Sequence, residues 1–327
     1  MKKNIYFLLV ISLALLISCA KNDINQSGLL VPKTVAEDNT LPVFELSDKT
    51  KIHLETFGTN TGENVIIVLH GGPGNDYRQY LNLTDLQDDY FIVLWDQRGT
   101  GLSERVDEQE ISLEQYLADL NEIAVHFSPN HPITLIGHSW GGGYATYYTQ
   151  QFPAKVKKLV LVEPLPLNKN ALDNMEFPKI IITSEEMSRF LGTADFILPD
   201  THATADYMMI VSGIINDDGD YFSSDEKDKV PYYRYGYAAY KAISTDLGLM
   251  DNTADYDFVA GLKETFKTKV LILGGTHSSR LGYDFQKKYH ENLFFDCQTE
   301  KIENAGHYMI VFNAPTILPI IRNYLNN

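Results

Sequence analysis

The chain has 327 residues and carries 43 acidic against 27 basic side chains, a formal net charge of −16. That balance excludes a nucleic-acid partner, which needs a basic footprint, and an electrostatic grip on anionic lipid. The length suits one large α/β domain with an insertion.

The chain starts with "MKKNIYFLLVISLALLIS", residues 1–18: two lysines, Lys2 and Lys3, then an uncharged apolar run from Ile5 to Ile17. That run is short for a membrane span and has the build of an export signal. "LISC", Leu16 to Cys19, resembles the bacterial lipobox. The resemblance implies acylation of Cys19 as the new N-terminus, and so a protein lipid-anchored at the bacterial cell envelope, on the outer membrane or the periplasmic face. Only Cys297 would then remain, leaving no intrachain disulfide. Residues 19–40 are mostly polar and read as a flexible tether.

"PVFELS" and "KIHLETF", alternating around "DKT", predict an antiparallel hairpin at a sheet edge. Five continuous apolar runs follow: "NVIIVLH" (64–70), "YFIVLW" (90–95), "PITLIG" (132–137), "KLVLVE" (158–163) and "KVLILGG" (269–275). Runs without alternation predict strands buried on both faces of a parallel sheet. Between the second and third lies "SLEQYLADLNEIAVHF" (112–127), an apolar stripe at helical spacing opened by a Ser112–Gln115 capping box. The alternation of strand and helix breaks over 164–268, a tyrosine-rich stretch with the acidic, turn-prone "NDDGDYFSSDEKD" (216–228) and the helical patch "RYGYAAYKAIS" (234–244). This predicts a mainly helical cap inserted in a core built from 41–163 and 269–327, with "PTILPIIRNYLNN" as the closing helix.

"GHSWGG", 137–142, sets a serine between glycines directly after a buried strand and ahead of a helix-compatible stretch. A nucleophile elbow requires that context, with glycines where backbones pack closely and Ser139 standing at the carboxyl edge of the sheet. "HGGPG", His70 to Gly74, follows its own strand as an oxyanion loop would. The amides of Gly72 and Trp140 are the natural donors to a developing oxyanion. His70 belongs to that loop and reads as structural.

"HGGPG", "DQRGTGLS" (96–103) and "GHSWGG", in this order, resemble the α/β-hydrolase superfamily and, within it, the proline iminopeptidase family of serine peptidases. The likeness covers 41–163 well and 269–327 in outline. It implies a doubly wound, mostly parallel sheet with an inserted helical cap, and release of N-terminal residues from small peptides through an acyl-enzyme. Asp96 and Arg98 read as braces for the turn after their strand. His307, in "NAGHYMI" before the final helix, fits the order nucleophile, acid, histidine and is the expected base. His138 and His277 are nearby competitors in principle, though His138 occupies the elbow's variable position and its side chain is expected to point away. The serine excludes the relatives that use an aspartate nucleophile.

The acid departs from the family. Its usual seat, about three residues past the last glycine of "KVLILGG", is Ser278 here. Glu163, closing "KLVLVEP" at the carboxyl edge of the preceding strand, is the preferred replacement, as in some haloalkane dehalogenases of similar fold. Asp284, or no acid at all, are the alternatives. The family's cap carboxylates for a substrate ammonium include one beside a tryptophan. This chain has only Trp95 and Trp140, both outside the cap. Glu185 and Glu186 stand as ammonium ligands or as solvated surface, and the tyrosines of "PYYRYGYAAY" as pocket lining or cap core. The resemblance puts an aminopeptidase first; the missing tryptophan marker favours an esterase or amidase on small acyl substrates, and an absent acid would favour a non-enzymatic envelope lipoprotein of hydrolase fold. No metal or cofactor is expected, for want of H-E-x-x-H, paired-cysteine or phosphate-loop patterns.

Overall fold

The computed structural model describes residues 31–175, 201–211, 226 and 229–327. The leader, Cys19, Glu185 and Glu186 lie outside these. Eight strands form one sheet: β1 (Val43–Glu45), β2 (Lys51–Phe57), β3 (Val65–Leu69), β4 (Phe91–Trp95), β5 (Ile133–His138), β6 (Val156–Val162), β7 (Val270–Gly275) and β8 (Cys297–Ile302). Their order is β1-β2-β4-β3-β5-β6-β7-β8. The hairpin strand β2 joins β1 and β4 antiparallel, and every pair from β4 to β8 is parallel. The five apolar runs are β3 to β7.

Their lack of alternation has its cause in two cores. Val65, Ile67 and Leu69 face one side of the sheet, and Ile66 and Val68 the other. The first side is covered by α1 (Leu113–Phe127) and α2 (Trp140–Gln151). β8 carried no such signal: as the last strand, "CQTEKI" is half exposed and its composition is polar.

At α1, Ser112 Oγ accepts the Gln115 N–H at 3.1 Å, the Ser half of the expected box. The Gln115 side chain instead donates to Asp119 at 2.9 Å, and the Asp119 carboxylate also accepts from Nε and Nη2 along one edge of the Arg98 guanidinium. Arg98 also reaches Asp48 and Thr50, and the Asp96 carboxylate accepts N–H groups from Tyr77 and Leu102. Both residues brace the turn after β4.

Residues 31–40 do not behave as the tether expected of them. Val31 and Val35 are buried, and the Val35 N–H donates to Leu102 O at 2.8 Å. Arg234 adds a hydrogen bond to Pro32 O at 3.1 Å and an ion pair with Glu37 at 3.5 Å.

The described cap includes α3 (Thr201–Val211) and α4 (Tyr237–Asp246). Buried Asp206 on α3 accepts from Arg105 of the body (2.9 Å), Arg234 (2.8 Å) and the Tyr237 N–H (2.9 Å). The returning segment then runs along the "HGGPG" loop. The Gly236 N–H donates to Gly74 O (2.7 Å) and Tyr235 Oη to Pro73 O (2.9 Å). Asp76 accepts the N–H groups of Tyr233 (2.5 Å) and Arg234 (3.1 Å). Burial, then the neighbouring Asp96, pushes the Asp76 carboxyl up to about 7.

Candidate active site

Ser139 joins β5 to α2 with φ 55°, in the left-handed region that an L-residue avoids. Contacts on both sides hold it there. Its N–H donates to Val162 O at 3.1 Å, and its carbonyl accepts the N–H groups of Gly142, Gly143 and Leu165. The elbow glycines are forced: a Cβ on Gly141 would stand 2.0 Å from Leu69 O, and one on Gly137 2.3 Å from Gly141 O. No side chain fits there.

Opposite the elbow lies the "HGGPG" loop, with Gly72 at φ +122°. The amides of Gly72 and Trp140, the latter at the first position of α2, donate to no backbone acceptor among the described residues. One of these donors opens a helix and the other lies in the glycine loop, the kinds of backbone donor that an oxyanion takes. His70 is structural, as read. Its Nδ1 lies 2.9 Å from Gly71 O, and its Nε2 accepts the Gln97 N–H and lies 3.0 Å from Thr100 Oγ1. Burial lowers its pKa to about 4.

The structure brings Glu163 and His307 together. Glu163 is fully buried at the end of β6 with φ 40°. Its Oε1 accepts the Gly275 N–H at 2.8 Å, and its Oε2 accepts from His307 Nδ1 at 2.6 Å. With the proton on Nδ1, Nε2 carries the lone pair of a neutral ring. Gly275 is required here too, since a Cβ would meet Ala305 O at 2.2 Å and block the approach of the loop that carries His307.

Asp284 is exposed in the first turn of α5 (Tyr283–Tyr289) and does not join this arrangement. Ser278, in the family's usual acid seat, is buried, and its Oγ has no hydrogen-bond partner among the described residues. His277 is exposed, its N–H bonded to Ala305 O.

Ser139, His307 and Gly72 line one cavity of about 220 Å³ with Asn75, His138, Met175, Met209, Tyr235, Tyr240, Arg280, Leu281 and Tyr308. Two tyrosines of the cap therefore serve as lining, and Tyr235 is buried as well. The described lining contains one cation and no carboxylate. The expected direction of the His138 side chain is corrected by the structure. Its ring does not point away but packs against His307 with centroids 4.5 Å apart. Among the described residues no cluster of three or more His, Cys, Asp or Glu side chains is placed to hold a metal.

A sequence model described as the alpha/beta hydrolase fold matches residues 64–314, and the chain belongs to that family. It is 25% identical over 288 residues to a proline iminopeptidase of Lactobacillus acidophilus, covering 84% of this chain and 94% of that one. It is 24% identical over 286 residues to a cis-3-alkyl-4-alkyloxetan-2-one decarboxylase of Shewanella oneidensis, covering 81% and 82%. The match to a proline iminopeptidase of Heyndrickxia coagulans, 33% identical over 117 residues, covers 35% of this chain and only 40% of that relative's length. Among solved structures, a carboxylesterase of Nitrososphaera gargenis superposes with a TM-score of 0.63 at 17% identity, covering 87% of this chain and 98% of that one. At that identity the likeness establishes the fold.

Proposed function

We propose that this α/β hydrolase is a serine hydrolase that passes through an acyl-enzyme at Ser139. The observation that carries the reading is the 2.6 Å Glu163–His307 bond beside the cavity that His307 and Ser139 share. A free hydroxyl is a weak nucleophile until a base takes its proton. His307 Nε2 accepts that proton as Ser139 Oγ attacks the substrate carbonyl, and Glu163 stabilises the imidazolium without being protonated itself. The amides of Gly72 and Trp140 take the oxyanion, a contribution of several kcal/mol. His307 then protonates the leaving group, and water, deprotonated by the same ring, releases the acyl product.

Within this class we favour an aminopeptidase that releases N-terminal residues from small peptides, in keeping with the relatives named proline iminopeptidase. A cavity of about 220 Å³ suits a short acyl group, being small beside the roughly 300–1,000 Å³ of typical ligand sites. The other reading, an esterase or amidase on small acyl substrates, differs at the ammonium subsite, for which the expected Glu185 and Glu186 lie outside the described residues. A fluorophosphonate probe on the mature domain, followed by aminoacyl-naphthylamides beside p-nitrophenyl esters, separates these readings. Labelling at Ser139 with aminoacyl turnover is the expected result. Ester turnover alone removes the peptidase, and no labelling removes the enzyme. We further infer envelope attachment through acylated Cys19, outside the described residues; a Cys19→Ala chain that still partitions with membranes would refute it.

A further inference from the structure

We propose that His138, the variable residue of the elbow, is a positioning residue that ties the oxyanion loop to the loop carrying His307. Three buried hydrogen bonds make the bridge. The Gly71 N–H donates to Tyr80 Oη at 2.8 Å, Tyr80 Oη lies 2.7 Å from His138 Nδ1, and His138 Nε2 lies 2.9 Å from the carbonyl oxygen of His307.

One proton arrangement satisfies every member. A carbonyl only accepts, so Nε2 carries the hydrogen. In a neutral ring Nδ1 is then an acceptor, and Tyr80 donates to it while accepting from Gly71. The rings facing His138 are Tyr80, His307 and Tyr308, with centroids 5.7, 4.5 and 6.2 Å away. Burial, and then the neighbouring His307, lower the pKa of His138 well below the ordinary imidazole value. The bridge therefore stays neutral while His307 gains and loses its proton.

The consequence is geometric. Gly71 immediately precedes the proposed oxyanion donor Gly72, and His138 immediately precedes Ser139. The chain of bonds thus spans nucleophile, oxyanion donor and base, which lie on three separate segments. Catalytic geometry has to hold to within about 0.5 Å, and a misplacement of about 1 Å can lower the rate by about 10²-fold. His138 touches no reacting atom in this account; it sets the spacing of those that do.

The inference rests on the serine-hydrolase reading, and fluorophosphonate inactivation, resolved into kinact and KI, tests it without a known substrate. His138→Leu is expected to lower kinact by about 30- to 100-fold with KI within twofold. His138→Gln, which keeps a donor and an acceptor, restores most of that loss. Tyr80→Phe lowers kinact by about tenfold and adds little to His138→Leu, because both cut one chain. Unchanged kinact in His138→Leu, a KI that moves in its place, or full additivity overturns the bridge. Melting curves accompany each variant, and if His138→Leu fails to fold, His138→Gln and Tyr80→Phe carry the comparison. Imidazole ¹⁵N resonances of the wild type give an independent readout: an Nε2–H ring that does not titrate between about pH 5 and 9 is expected, and a titrating ring overturns the proposal. A wild type with that resonance but no labelling indicts the hydrolase reading rather than the bridge.

Discussion

The turn after β5 and the turn after β6 stand side by side on the same rim and share a backbone signature. Ser139 and Glu163 both hold positive φ, at 55° and 40°, and both close a buried parallel strand. They interlock, since the Ser139 N–H donates to Val162 O and the Leu165 N–H donates to Ser139 O. Yet the first is written as a motif and the second is a lone glutamate. The elbow's own backbone crowds out side chains at Gly137 and Gly141. The acid turn places its crowding elsewhere, at Gly275 on the next strand, where a Cβ would stand 2.2 Å from Ala305 O and 3.2 Å from Glu163 Oε1. A motif marks where backbone meets backbone locally; a carboxylate that needs only an amide and an imidazole leaves no such mark.

The comparison breaks most sharply at the acid itself. Glu163→Gln keeps the shape but removes the charge that faces the imidazolium, and turnover is expected to fall by about 10⁴-fold. A variant within tenfold of wild type would return Glu163 to a structural role. Next comes Gly275→Ala, which displaces the His307 loop or the carboxylate. Turnover should drop by about 10²-fold, together with a lowered melting temperature. Unaltered kinetics would mean that the loop has slack the distances deny.

Two buried neutral imidazoles stand beside this rim, one on the glycine loop that faces the elbow and one just past the Glu163 turn, which allows a test by pH. His70 supports the oxyanion loop. His290 accepts the Leu167 N–H at 3.2 Å, just past the acid turn, and lies 2.6 Å from Gln286 Oε1. Burial lowers these rings to about 4 and about 3. Both folded values lie below the unfolded value of about 6.5. The stability they contribute is therefore complete above about pH 6.5 and is lost as pH falls towards the folded values, by about 1.4 kcal/mol per pH unit for each ring. Urea titrations from pH 7 to 4.5 should show this decline. His290→Gln should remove one ring's share of that slope, about 1.4 kcal/mol per pH unit, and an unchanged slope would show that the ring is accessible to protons in the native state. Asp284→Asn brings the smallest effect, turnover within twofold. A larger loss would reopen the assignment of the acid.

By itself, the sequence determined the parallel strands from β3 to β7, the glycine elbow at Ser139 and the glycine loop after β3. Each follows from interactions among near neighbours: apolar runs buried on two faces, and glycines where the backbone leaves no room. Even there, β8 escaped notice because an edge strand needs no apolar run, and Val31 and Val35 were hidden in polar company. The sequence preferred Glu163 to Asp284, but the contact of Glu163 with His307, and all the contacts of the His138 ring, came from tertiary structure alone. His307 meets Glu163 across 144 residues, and His138 meets the His307 carbonyl across 169. Contacts at such separations depend on strand order and register, which place β6 and not α5 beneath the histidine, and no local pattern of residues encodes that placement.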